Sequence, residues 1–301
     1  MSEILTGRGR LRFAVLATAA ALALAACSGP AGQSGSGSPA ASGAKVQTIK
    51  AGVLMIGSQQ SYVPGEYVDP ADGKLKGFSY EIIEEIAKRL GMTTEWVQAD
   101  YSALISGLEA QHYDVSSGGM SPNPDRLKLA DMVGYFQSGS TFLLRKADAS
   151  KYTDAQSLCG HQVGLLAGSS TLKAAFEREN AACATAGKAK IELVEYTSTP
   201  LGQQDLLSER IDAYTPDPLQ AAKIVASDPT QYAWTEKYNL TPYTLNFSVL
   251  KDKNPELVKA IYSTLEELIK DGFYAKALEK YQATTGALTE PAYNGEIGAK
   301  P

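Results

Sequence analysis

The chain has 301 residues, 44% of them hydrophobic and 20% charged, with a formal net charge of −5. That length provides for one large domain or two medium lobes. The acidic balance, with no basic cluster or RNA-binding motif, argues against nucleic acid as a partner.

The N-terminus reads as an export signal. Arg8, Arg10 and Arg12 form a positive region ahead of a 14-residue apolar run, Phe13 to Ala26, that is too short to span a membrane comfortably. The run ends in Leu24-Ala25-Ala26-Cys27, the form of a bacterial lipobox, in which the cysteine (Cys27) receives the lipid. Residues 28–44 are rich in Gly, Ser and Ala and read as a flexible tether. Removing residues 1–26 takes away three arginines and one glutamate and leaves a mature chain at −7. Cys159 and Cys183 then remain. In an exported protein two cysteines point to a disulfide, the alternative being two free buried thiols.

Residues 48–57 alternate loosely and predict a first strand, followed by turn chemistry over 69–77. Ser79 is placed to cap a helix whose Ile82, Ile83, Ile86, Ala87 and Leu90 form one apolar stripe, with Gly91 ending it. A strand (TTEWVQA), a helix (YSALISGLEAQ) and a strand (YDVSSGG) follow, a β-α-β-α-β order that favours a parallel sheet covered by helices. The last strand runs into SPNPDR, where Asn123 can accept backbone hydrogen bonds as a helix cap and Pro124 needs no N–H. Arg126 is the odd member, because a cation in a first helical turn opposes the helix dipole. A second β-α-β set begins at HQVGLLAGSS (161–170) and continues through IELVEY, LGQQDLLSER, IDAYTPD and PLQAAKIVA. YTLNFSVLKD (243–252) returns the chain to the first set, two helices follow, and the tail from about Thr285 lacks periodicity and is expected to lie over the surface or be disordered. The expected division is 1–26 signal peptide, 27–45 lipidated cysteine and linker, 46–144 with 244–301 as lobe 1, and 145–243 as lobe 2.

Enzyme signatures are sparse. There are two histidines, no HExxH pair, no Cys/His metal spacing, and no GxSxG elbow. Gly168-Ser169-Ser170-Thr171 places N–H groups and hydroxyls at a helix start just past a strand, which suits an anion. Ligands of open α/β sheets sit beyond the carboxyl ends of the strands. There the sequence offers Arg126, the Ser169/Ser170 helix start and Asp217, a set that suits a zwitterion with a carboxylate and an amine.

These segments together (GKLKGFSYEIIEEIAKRLG, YSALISGLEAQHYDVSSGGMSPNPDR, QVGLLAGSST, LLSERIDAYTPD and LIKDGFYAKALEKY) resemble family 3 extracellular solute-binding proteins, the polar amino acid class serving ABC importers. The likeness spans roughly residues 46–284. It implies an α/β type II periplasmic-binding fold, two α/β lobes joined by two hinge strands, closing on a ligand. It further implies that Arg126 holds the ligand α-carboxylate, helped by Ser169 and Ser170. Asp217 would take the amine, with contacts from Gly119 and Ser121, and Asp212 would be structural. The implied partners are a small zwitterionic ligand and ABC permease subunits, with the membrane reached through a lipid anchor; the expected state is an extracytoplasmic monomer needing no cofactor or metal and catalysing nothing.

Three positions depart from the family pattern. Asn123 stands where a threonine is usual, with capping retained. Gly65 stands where a ligand-stacking aromatic is usual, and Ser79 replaces an aspartate. Either Tyr62 or Tyr67 refills the space at Gly65, with Tyr62 the aromatic ligand-binding candidate, or the pocket is roomier and less acidic and prefers a larger or less basic ligand than arginine or lysine, such as an amino-acid conjugate. The competing functions are a prephenate or arogenate dehydratase-like enzyme on the same fold and a sensory binding lipoprotein.

Overall fold

A computed structural model describes residues 46–301. The signal peptide, the tether and Cys27 lie outside the described residues.

Two sheets organise the chain. The larger has seven strands in the order Glu296–Ile297, Ala292–Tyr293, Ala130–Ser138, Tyr243–Leu250, Val115–Met120, Val53–Ser58, Thr93–Gln98. Val53–Ser58 pairs in parallel with both Thr93–Gln98 and Val115–Met120, as the predicted β-α-β-α-β order requires. The smaller sheet has five strands, with Gln162–Leu166 parallel to Glu192–Tyr196 and Ala213–Tyr214. The chain leaves the large sheet after Ser138, joins the small one at Leu143, and returns from Trp234 to Tyr243. Two α/β lobes result, and the two crossing segments, 139–142 and 235–242, are not the strands expected there. A three-stranded ribbon, Ser61–Tyr62, Glu66–Val68 and Leu75–Lys76, flanks the first lobe.

The first lobe's core follows from the apolar stripe. Helix Phe78–Arg89 buries Ile82, Ile83, Ile86 and Ala87 against Phe136, Phe247 and helix Pro255–Lys270. Each of the three isoleucines contributes about 1.5–3 kcal/mol by leaving water. Tyr135 stacks on Phe247 with ring centroids 4.1 Å apart. In the second lobe Phe142, Phe176 and Val163 form a separate core. Cys159 and Cys183 are joined by a disulfide there, with Cα atoms 5.7 Å apart, tying the turn before strand Gln162–Leu166 to the end of helix Ser170–Thr185.

Two local expectations are corrected. Ser79 does not cap the first helix: it lies inside the helix, buried, and its hydroxyl meets that of Tyr135 at 2.9 Å. Nor is the tail structureless. Ala292–Tyr293 pairs with Ala130–Ser138, and Asp131 accepts hydrogen bonds from Tyr293 and Asn294. A two-residue strand is too short for periodicity to register, while the Asn294-Gly295 turn that forms the hairpin is a local signal. Among the described residues no helix is long and apolar enough to cross a membrane.

Candidate functional site

Strand Val115–Met120 delivers the Ser121–Asp125 turn to the space between the lobes. Asn123 Oδ1 accepts the N–H groups of Asp125 at 3.1 Å and Arg126 at 3.0 Å, so it caps the short helix Arg126–Leu129 as its side chain predicts. Arg126 is buried, 7% exposed, and its guanidinium carbon lies 5.6 Å from the Tyr101 ring centroid. Its Nη1 donates to the Ser121 carbonyl at 2.6 Å and to Ser121 Oγ at 3.1 Å, and its Nη2 to the Gly168 carbonyl at 2.9 Å. An arginine with five donors keeps further N–H groups available after these contacts.

Across from it lies the start of helix Ser170–Thr185. Ser169 is buried beside it, while Ser170 is exposed. Asn123 Nδ2 donates to Ser170 Oγ at 2.9 Å, and Ser121 Oγ donates to Thr171 Oγ1 at 2.9 Å. Asn123, Ser121 and Ser170 therefore join the lobes directly, and Thr171 belongs with them. Thr171 is part of the helix-start motif, but nothing local marks it as an interlobe acceptor.

Asp217 caps the helix Pro218–Ser227, its Oδ1 accepting from Leu219 at 2.9 Å and Gln220 at 3.0 Å. Burial pushes its carboxyl up to about 6, partly countered by these helix-start N–H groups. Asp217, Ser169, Gly119 and Tyr62 line a narrow cavity of about 60 Å³ together with Tyr101 and Tyr243. That volume holds a handful of waters, so the lobes are drawn together in this conformation. Asp212 lies elsewhere, accepting from Tyr152 and from the Gln162 N–H, in keeping with a structural position.

The expectation of a roomier pocket at Gly65 is corrected: the Tyr62 ring occupies that space, and a Cβ at 65 would overlap it. Tyr62 is 5% exposed and its hydroxyl has no hydrogen-bond partner. Glu66 is fully buried beside Ser117, whose Oγ donates to Glu66 Oε2 at 2.7 Å. Burial pushes Glu66 up to about 7. In sequence it follows Gly65 in a short polar ribbon, where a glutamate reads as exposed. Among the described residues no group of three or more His, Cys, Asp or Glu side chains converges as a metal site.

Residues 54–284 match the profile of the bacterial extracellular solute-binding proteins, family 3. A probable histidine-binding protein of Campylobacter jejuni is 27% identical over 232 residues, covering 76% of this chain and 84% of that protein. The L-cystine-binding protein TcyJ of Escherichia coli is 27% identical, with 76% of this chain and 82% of that protein covered. The crystal structure of an ancestral amino acid-binding protein, a precursor of cyclohexadienyl dehydratase, is similar with a TM-score of 0.66. It is 26% identical, with 76% of this chain and 95% of that chain covered.

Proposed function

The chain belongs to the bacterial extracellular solute-binding proteins of family 3, and from that premise we propose that it captures an amino acid or amino-acid derivative between its lobes and delivers it to an ABC importer. The relatives named for histidine and cystine binding support an amino acid as the solute.

The reading is carried by two buried charged groups at strand-to-helix turns, Arg126 packed over Tyr101 and Asp217 in the cavity that Tyr101 also lines. Arg126 takes the ligand carboxylate, and Asp217 takes the amine through the oxygen its helix does not use. Ser121, Gly119 and Ser169 add polar contacts, Tyr62 supplies the aromatic wall, and Asn123 with Ser170 fastens the closed lobes. The protein acts as a monomer held at the outer membrane face by a lipid on Cys27, with residues 28–45 as the leash. Thermal-shift screening against the amino acids, followed by calorimetry, tests the reading; no stabilisation by any amino acid contradicts it.

A second reading is a dehydratase-like enzyme. Glu66 and Asp217, both with pKa values raised toward neutrality by burial, are suited to general acid chemistry. Product analysis after incubation with prephenate or arogenate separates the two: turnover supports the enzyme, and unchanged ligand supports the receptor.

A further inference from the structure

We propose that the C-terminal segment, residues 285–301, is a clasp that positions the Ser121–Asp125 turn and so sets how tightly the cleft holds its solute. This rests on the reading above, that Arg126 and its turn bind an amino acid. The segment lies past residues 54–284, the span that matches the family profile, so the profile does not account for it.

The segment grips one strand near both ends. Ala130–Ser138 is the strand from which the chain crosses to the second lobe, and without Ala292–Tyr293 it would be the edge of the seven-stranded sheet. Ala292 pairs with Gly134 and Tyr293 with Val133. A Cβ on Gly134 would stand 2.7 Å from the Ala292 Cβ, so a glycine is what admits the tail this closely. Near the crossing, Gly286 lies so close to the Gln137 carbonyl that a Cβ there would collide with it. Toward the other end Asn294 brackets Met132. Its N–H donates to the Met132 carbonyl at 2.8 Å, and its Oδ1 accepts the Met132 N–H at 2.9 Å. Asp131, 8% exposed, accepts from the Tyr293 hydroxyl at 2.9 Å and from Asn294 Nδ2 at 3.3 Å.

The tip of this hairpin meets the binding turn. Asn294 (φ +52°) and Gly295 (φ +95°) make the two-residue connection between Ala292–Tyr293 and Glu296–Ile297. A Cβ on Gly295 would stand 3.0 Å from Pro122 Cγ, so the backbone here packs directly on that ring. Pro122 follows Ser121, whose carbonyl holds Arg126 Nη1 at 2.6 Å and whose hydroxyl reaches Thr171 across the cleft. It precedes Asn123, which caps Arg126 and bonds Ser170. One turn therefore aims Arg126 and fastens the far lobe, and Gly295 buttresses it at Pro122. Holding that turn in shape before the solute arrives removes an ordering cost from binding. Covering an exposed edge is the simpler role for such a hairpin, but edge cover needs no contact with Pro122.

Asn294→Ala in the full chain tests this. Ile86→Val serves as the comparison, a mild core loss in the helix beside Thr93–Gln98, the strand at the opposite edge of the sheet. Hydrogen exchange on the ligand-free protein should find the Asp125 and Arg126 amides at least about fivefold faster in Asn294→Ala and within about twofold of the unmutated rate in Ile86→Val. Calorimetry with the genetically encoded amino acids and L-cystine should find whichever binds weakened at least about fivefold by Asn294→Ala and less than about twofold by Ile86→Val. Gly295→Ala, which keeps the Asn294 side chain and drives a methyl toward Pro122, should weaken binding likewise. Unchanged affinity or unchanged exchange in Asn294→Ala, or an equal effect of Ile86→Val, reduces the segment to an edge cover and overturns the proposal. Failure of every probe to bind the unmutated protein contradicts the amino-acid reading, while the exchange rates still decide whether the clasp positions the turn.

Discussion

Arg126 reaches across the cleft: its Nη2 donates a 2.9 Å hydrogen bond to the Gly168 carbonyl at the start of the opposing lobe's first helix. The guanidinium thus lies where the two lobes meet, and a carboxylate arriving there gains both a charge partner and a reason for the lobes to stay together. Arg126→Ala is expected to weaken amino-acid binding by about 100-fold, since an unpaired buried carboxylate costs several kcal/mol. Calorimetry on a variant with native circular dichroism checks this.

Thr171 accepts from both Ser121 and Asn123 across the cleft. Thr171→Val keeps the shape and removes the acceptor. The expected result is a three- to tenfold loss of affinity, roughly the worth of one or two neutral hydrogen bonds. Small-angle scattering should report a more open ligand-free ensemble with little change in melting temperature.

The Tyr62 ring and Gly65 share one space. Gly65→Phe should therefore destabilise the protein by roughly 1–3 kcal/mol through overpacking, and Gly65→Phe combined with Tyr62→Ala should recover much of that loss. Chemical denaturation of the four proteins in a double-mutant cycle measures the coupling. Additive effects would mean that the two residues do not compete.

Asp217 titrates at about 6 in the folded protein, raised by burial from its ordinary value of 3.8. An acid whose folded pKa lies above its unfolded one contributes stability at low pH. That contribution is lost as pH rises from about 4 through about 6. Asp217→Asn should accordingly stabilise the ligand-free protein at pH 7 by on the order of 2 kcal/mol and show no such gain at pH 4. The same substitution should abolish binding of amine-bearing ligands. Melting curves across this range, paired with calorimetry, check both halves.

The Cys159–Cys183 bridge closes a loop with a sequence separation of 24. Chain entropy gives it roughly 3 kcal/mol. Reduction should lower the melting temperature of the second lobe, and thiol titration of the unreduced, denatured protein should find neither cysteine free.

Much of the architecture was legible because it rests on local pattern. The Ile82, Ile83, Ile86 stripe declares a helix with one buried face, and alternating strands and helices declare the parallel part of each sheet, though not the antiparallel strands such as Tyr243–Leu250 that make both sheets mixed. The placement of Arg126 and Asp217 was legible because each sits at a strand-to-helix turn, the position that makes them candidates in sheets of this kind. Glu66 was not. Its burial depends on the ribbon folding back over Ser117, which is 51 residues away in sequence. Ser79 misled for a similar reason: its hydroxyl serves Tyr135, not its own helix, and capping rules see only neighbours along the chain. The interlobe bonds of Asn123 with Ser170 and Thr171 likewise join segments that no periodicity connects.

The central claim is that an amino acid is held between Arg126 and Asp217. Mass spectrometry of the small molecule released when the purified protein is denatured tests it most directly. The account predicts an α-amino acid in stoichiometric amount from the unmutated protein and its absence from Arg126→Ala. A released molecule lacking a carboxylate, or undiminished occupancy in Arg126→Ala, would contradict it.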